Sequence, residues 1–191
     1  MEDGDMRSKH SVSLFYFTAL SMLTALQVVL SRFVSIETPV VKIGFGFVPV
    51  MIAGGLFGPV GGLIVGGLSD FIGAMLFPFG AYFPGYTITA AFSGAVYGFF
   101  FRKRPNLLKI IIAYLITTVV VTLGFNTLFV AILYTKGDSP LIVKYLSLLP
   151  TRLGQAGIMI VIQTAVTYFL AVQAKLFDRV WRVVTRGGHR Q

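Results

Sequence analysis

Cysteine is absent from this chain, which excludes disulfides and thiolate metal sites. Histidine is almost absent: His10 and His189 lie in the tails, so no histidine-centred catalytic or metal site is expected. Charge is scarce too. Asp, Glu, Lys and Arg make up 12 % of residues, about half the share of a typical soluble domain. With 55 % hydrophobic residues and a mean hydropathy of +0.82, that scarcity points to an integral membrane protein. No G-x-x-x-x-G-K-[ST] occurs, so the chain cannot hydrolyse ATP through a P-loop. H-E-x-x-H and G-x-S-x-G are missing as well, leaving no visible nucleophile–base set. A cleavable leader is not expected, because the first apolar run is long and lacks a small-x-small site. The two-fold repeat found in many self-sufficient carriers is not evident either. These absences suit a protein that holds a solute without cofactor, metal or catalysis, with energy for movement coming from a partner.

What is present reads as an all-α membrane protein with six transmembrane helices. The expected spans are Val12–Leu30, Gly44–Phe57, Val60–Phe77, Gly85–Phe101, Leu107–Tyr134 and Thr151–Ala174. Gly58-Pro59 divides the second from the third, and Arg102-Lys103-Arg104-Pro105 ends the fourth. The net charge of +9 is first a matter of topology. With a cytoplasmic N-terminus, eleven cations fall on the inner side and five on the outer: Arg32, Lys42, Lys136, Lys144 and Arg152. That asymmetry places both termini in the cytoplasm, as an even span count requires. Residues 1–11 then form an inner tail, 12–174 the membrane domain and 175–191 a basic amphipathic tail. In that last tail Leu176, Phe177, Val180, Trp181 and Val184 share a helical face opposite basic residues, which fits an anionic inner leaflet better than nucleic acid.

The polar residues inside the apolar runs carry the functional reading. Residues 77–87, Phe-Pro-Phe-Gly-Ala-Tyr-Phe-Pro-Gly-Tyr-Thr, join two Gly-rich spans. Proline and glycine shape the turn, and Phe79, Tyr82, Phe83 and Tyr86 offer stacking faces to a flat ligand; an interfacial aromatic belt is the plainer reading. Asp70 is the one acid within an apolar span. It either accepts a hydrogen bond from a neighbouring helix or reads an amino-pyrimidine edge. Asn126 and Gln155 fall in the outer half and suit a polar ring, whereas Gln163, nearer mid-depth, suits helix–helix contact. Thr117, Thr118 and Thr122 can bond to their own helix backbone and are given no role. Arg32 and Arg152 are expected at the outer ends of helices, where a guanidinium can pair with a carboxylate. Headgroup anchoring is the alternative for both. Gly58, Gly62 and Gly66, and Ala90, Gly94 and Gly98, recur every fourth residue and suit close helix packing within the chain. Ala19, Ser21 and Ala25 make a further small patch on the first span, facing either its own bundle or another membrane subunit.

Six short spans, that first-span patch, the basic loop between the fourth and fifth spans, and Ser-Asp-Phe-Ile-Gly-Ala-Met-Leu-Phe-Pro-Phe-Gly-Ala-Tyr-Phe-Pro-Gly-Tyr-Thr together resemble the substrate-binding S components of energy-coupling factor (ECF) vitamin transporters. The resemblance covers about residues 12–175, and residues 69–98 with Leu-Ser-Arg-Phe at 30–33 look most like the folate-specific members. It implies capture of a vitamin from outside the plasma membrane of a bacterium, and docking onto a transmembrane coupling subunit that carries two ATPases. Ala19, Ser21 and Ala25 match the docking position, with Ser-x-x-x-Ala where Ala-x-x-x-Ala is typical. Folate would stack its rings on the 77–87 aromatics, present its pterin edge to Asp70, Asn126 or Gln155, and pair its glutamate with Arg32 and Arg152. Other vitamins of the class (thiamine, riboflavin or niacin) and an autonomous small-solute carrier are the competing readings.

Overall fold

The computed structural model describes residues 3–37, 42–78, 82–102, 105–133 and 139–172. The order is α1 (Asp3–Arg32), β1 (Ile36–Glu37), β2 (Lys42–Ile43), α2 (Phe47–Leu76), α3 (Pro84–Phe101), α4 (Leu107–Ile116), a π-helical segment (Thr117–Asn126), α5 (Thr127–Leu133) and α6 (Leu141–Val172). The two strands form one short antiparallel ladder pairing Ile36 with Ile43. The other elements among the described residues are helical, joined by short turns. Leu14–Arg32, Phe47–Leu76, Leu107–Leu133 and Leu141–Ala171 are long and apolar enough to cross a membrane. The outward faces are apolar as well: Phe17, Met22, Ile88, Phe99 and Val161 are all exposed. A bundle with hydrocarbon side chains both inside and out is suited to lipid rather than water.

α2 is not one straight rod. Gly58 has φ 76° and ψ −167°, a conformation that side chains resist, and Pro59 follows it. In a continuous helix Gly54 and Gly62 would lie about 12 Å apart along the axis. Instead a Cβ built on Gly62 would sit 3.2 Å from Gly54 Cα, and one on Gly66 would sit 3.5 Å from Val50 Cγ1. Pairs on either side of Gly58 therefore face each other, and residues 47–57 and 59–76 run as two antiparallel arms. α3 lies against both. A Cβ on Gly62 or Gly94 would overlap the carbonyl of the other, and one on Gly98 would reach Gly58 and Pro59 within 2.5 Å. The small-residue stripes of the sequence thus pack against each other within the chain, and backbone meets backbone with no side chain between them.

The apolar core lies beside this contact. Ala53, Val65, Ile110, Ala113 and Tyr114 are fully buried, with Phe47, Tyr97 and Phe101 around them. Tyr97 stacks on Phe101 at 5.7 Å and meets Tyr114 edge-on at 5.2 Å. The Tyr114 and Thr167 hydroxyls are 2.5 Å apart, linking α4 to α6.

Two helix bounds differ from the sequence reading. α1 begins at Asp3, since the polar residues ahead of the apolar run continue its helix. α6 begins at Leu141 rather than Thr151 and carries Pro150 inside it. Proline normally favours a break there, by removing an N–H and crowding the preceding turn. The turns before it stay helical, and the Tyr145 hydroxyl ties them to the Leu123 carbonyl at 2.9 Å. Arg152 consequently sits well inside α6, not at its end. The tail at 175–191 lies outside the described residues.

Candidate ligand cavity

A cavity of about 250 Å³ opens at the end of the bundle that carries the β-ladder. Each wall follows a helical period. α6 presents Arg152, Gln155, Ala156, Met159 and Gln163, spaced i, i+3, i+4, i+7 and i+11. α3 gives Ala90, Ser93 and Tyr97. Gln27 and Ser31 come from the last turns of α1, and Gly46, Phe47 and Val50 from the start of α2. Thr117, Thr118, Val121, Thr122 and Asn126 line it from the π segment. The lining is therefore amides, hydroxyls and one guanidinium set among apolar groups, which is how small-ligand pockets fix orientation. Among the described residues no cluster of three His, Cys, Asp or Glu offers a metal site.

Arg152 is 7 % exposed, and its Nε has no hydrogen-bond partner among the described residues. A buried guanidinium without a carboxylate beside it is costly, and Arg152 is the one cationic side chain in this lining. Asn126 is fixed from the side: the Thr89 hydroxyl lies 3.0 Å from its Oδ1 and 2.9 Å from the Tyr86 carbonyl. Tyr86 lies in the first turn of α3. Its ring belongs to an edge-to-face group with Phe83 and Phe129, at centroid distances of 4.8 to 6.1 Å.

Residues 15–173 match the family model described as "ECF transporter, substrate-specific component". The chain belongs to this family of S components. It is 41 % identical over 150 residues to the folate transporter FolT of Clostridium novyi (strain NT), covering 78 % of this chain and 83 % of that one. It is 30 % identical over 157 residues to the folate transporter FolT of Leuconostoc mesenteroides, covering 81 % and 83 %. Among solved structures it is similar to FolT bound with folic acid, at TM-score 0.74 and 34 % identity, over 84 % of this chain and 95 % of that one.

In this S component the residues singled out from sequence fall into three places. Asn126, Arg152 and Gln155 share the cavity wall. Arg32, Asp70, Tyr82, Phe83 and Tyr86 stand outside that lining. Arg32 lies against Gly73 of α2, where an added Cβ would come within 2.9 Å of its Nε. Asp70 Oδ2 accepts a 2.9 Å hydrogen bond from the Thr87 hydroxyl, itself 3.2 Å from the Tyr82 hydroxyl. Thr87 has a single proton and gives it to Asp70, so Tyr82 donates to Thr87. Phe79 lies outside the described residues. Ser21 and Ala25 are on the exposed face of α1, with Ala19 half-buried at its flank. The Ser21 hydroxyl bonds back to the Phe17 carbonyl at 2.9 Å, which leaves it without a free donor on a face where Leu14 and Phe17 are also exposed.

Sequence reasoning missed Gln27 and Ser31, although two polar residues four apart near the end of an apolar helix are a readable signal. It also passed over Phe129, one ring among 18 phenylalanines with nothing local to mark it.

Proposed function

We propose that this chain is the folate-binding S component of an ATP-driven ECF importer, a multi-pass protein of a bacterial plasma membrane. The observation that carries the reading is the 41 % identity to a folate transporter over most of both chains, joined to the structural match with a folic acid complex. The chemistry of the cavity supports it. Folate is a flat heteroaromatic ring system ending in a glutamate, and the cavity combines amides, hydroxyls and a buried, partly unpaired guanidinium. Arg152 pairs with the glutamate, and Asn126 and Gln155 hydrogen-bond to the polar ring edge. Arg32, Asp70, Tyr82, Phe83 and Tyr86, outside that lining, supply a cation, an acid and aromatic rings for the rest of the ligand.

The chain crosses the membrane six times in this reading: α1, the two arms into which Gly58 divides α2 (the first of them short), α3, the continuous helix over 107–133, and α6. The distribution of cations supports cytoplasmic termini. The exposed small face at Ser21 and Ala25, flanked by Ala19, docks onto a transmembrane coupling subunit, and two ATPase subunits supply the energy. The chain itself is a transport subunit and not an enzyme.

The test is a melting-temperature screen of the purified protein against folate, thiamine, riboflavin and niacin. Folate is expected to give the large rise, because a ligand that binds only the folded state stabilises it by mass action. No rise with folate and a large one with another vitamin would reject the assignment.

A further inference from the structure

The π-helical segment is the feature that the functional reading leaves unused. Its N–H to C=O bonds reach back five residues, as when the Thr127 N–H meets the Thr122 carbonyl. Such geometry is uncommon and recurs at functional sites. Its effect here follows from the angles. At about 100° per residue, an ordinary α-helix would spread Thr117, Thr118, Val121, Thr122 and Asn126 over about half its circumference. At about 82° per residue, the wider π turn gathers the same five within about a third of it. All five line the cavity.

The hydroxyls differ in the same way. Thr18, Ser21, Thr24, Ser69, Ser93 and Thr117 each bond to the carbonyl four residues back, as such residues do in α-helices. Thr118 and Thr122 both face the cavity, and neither hydroxyl has a hydrogen bond among the described residues. Across the cavity stands the Gln163 amide, likewise without a partner among the described residues. Hydroxyls and an amide that face each other across a slot, not engaged by the chain itself, are available to a polar ligand edge.

We infer that Thr118 and Thr122, with Gln163 opposite, are specificity-determining residues that hydrogen-bond the edge of the ligand's fused ring. The π register is what gathers them on the cavity side. The amide matches a ring lactam, whose N–H and C=O lie side by side, and the two hydroxyls complete the set. The inference deepens the folate reading and rests on it.

The test uses the full chain in detergent, with Thr118→Val and Thr122→Val, which remove the hydroxyl and keep the shape. Calorimetric titration with folic acid and with pteroate, which lacks the glutamate, separates the ring end from the tail. Each variant is expected to weaken both ligands by the same factor, about tenfold, the loss of one well-placed hydrogen bond. The melting temperature of the ligand-free protein is expected to stay within about 2 °C of the parent, as it should for Thr18→Val on the exposed face of α1. Unchanged affinities overturn the inference. So does a loss confined to folic acid, or one matched by a fall in ligand-free stability. An unaltered parent chain that binds neither ligand overturns the folate reading, and this inference with it.

Discussion

Replacing Arg152 by methionine separates the two roles a buried guanidinium can have. Arg152 is 7 % exposed, no acidic side chain is paired with it among the described residues, and its Nε lacks a hydrogen-bond acceptor. In the ligand-free protein this is a cost, because a buried charge without its partner forgoes hydration and gains little in return. Methionine fills similar space without the charge, so ligand-free Arg152→Met is expected to melt at or above the parent temperature. Folate binding is expected to move the other way. Hydrogen bonds to a charged group contribute about 1.5–3 kcal/mol, which corresponds to a loss of about ten- to 150-fold in affinity. Pteroate lacks the glutamate and is expected to lose much less. The assay is calorimetric titration with both ligands, alongside a thermal melt without ligand. Equal losses for folate and pteroate would remove Arg152 from the glutamate-binding role. A variant that binds normally but melts well below the parent would show that the guanidinium serves the fold instead.

Three further substitutions probe the rest of the account. Gly62→Val places a side chain against the Gly94 carbonyl, and overpacking of about 1–3 kcal/mol should lower the melting temperature by several degrees. Gly154→Ala is its control, since nothing lies within 4 Å of a Cβ there; it should be neutral or slightly stabilising. Arg32→Ala is expected to weaken folate more than pteroate in the same titration, and equal losses would exclude a carboxylate role. Ser21→Leu is expected to leave folate binding intact and to impair ATP-driven uptake once the coupling subunit and ATPases are reconstituted with it. Full uptake would show that docking uses another surface.

The helical, membrane-embedded character of the chain was legible because it rests on composition and run length, which survive without tertiary detail. Gly58-Pro59 was also legible as a break, and the every-fourth-residue stripes as packing, since both follow from what a missing Cβ permits. The site was only partly readable. Asn126, Arg152 and Gln155 stand out as polar residues in apolar runs, and the folded chain gathers them around one cavity. Thr118 and Thr122 did not stand out, because a threonine in an α-helix usually bonds to its own backbone. The π register gathers them on the cavity side, and no residue type announces it. Asp70 had two readings, and the geometry gives it a hydrogen bond from Thr87 on the neighbouring helix. Which of two such partners a lone acid finds depends on how two helices rotate against each other, a matter beyond local sequence. Pro150 misplaced the start of α6 because a helix can carry a proline when neighbouring contacts hold both flanks.

The most direct test of the central claim is an experimental structure of the chain with folic acid bound. The account places the glutamate at Arg152 and the fused ring between the π segment and α6, with Asn126, Gln155 and Gln163 in hydrogen-bond range. Folic acid held elsewhere, with the Arg152 guanidinium and the Thr118 and Thr122 hydroxyls untouched, would contradict it.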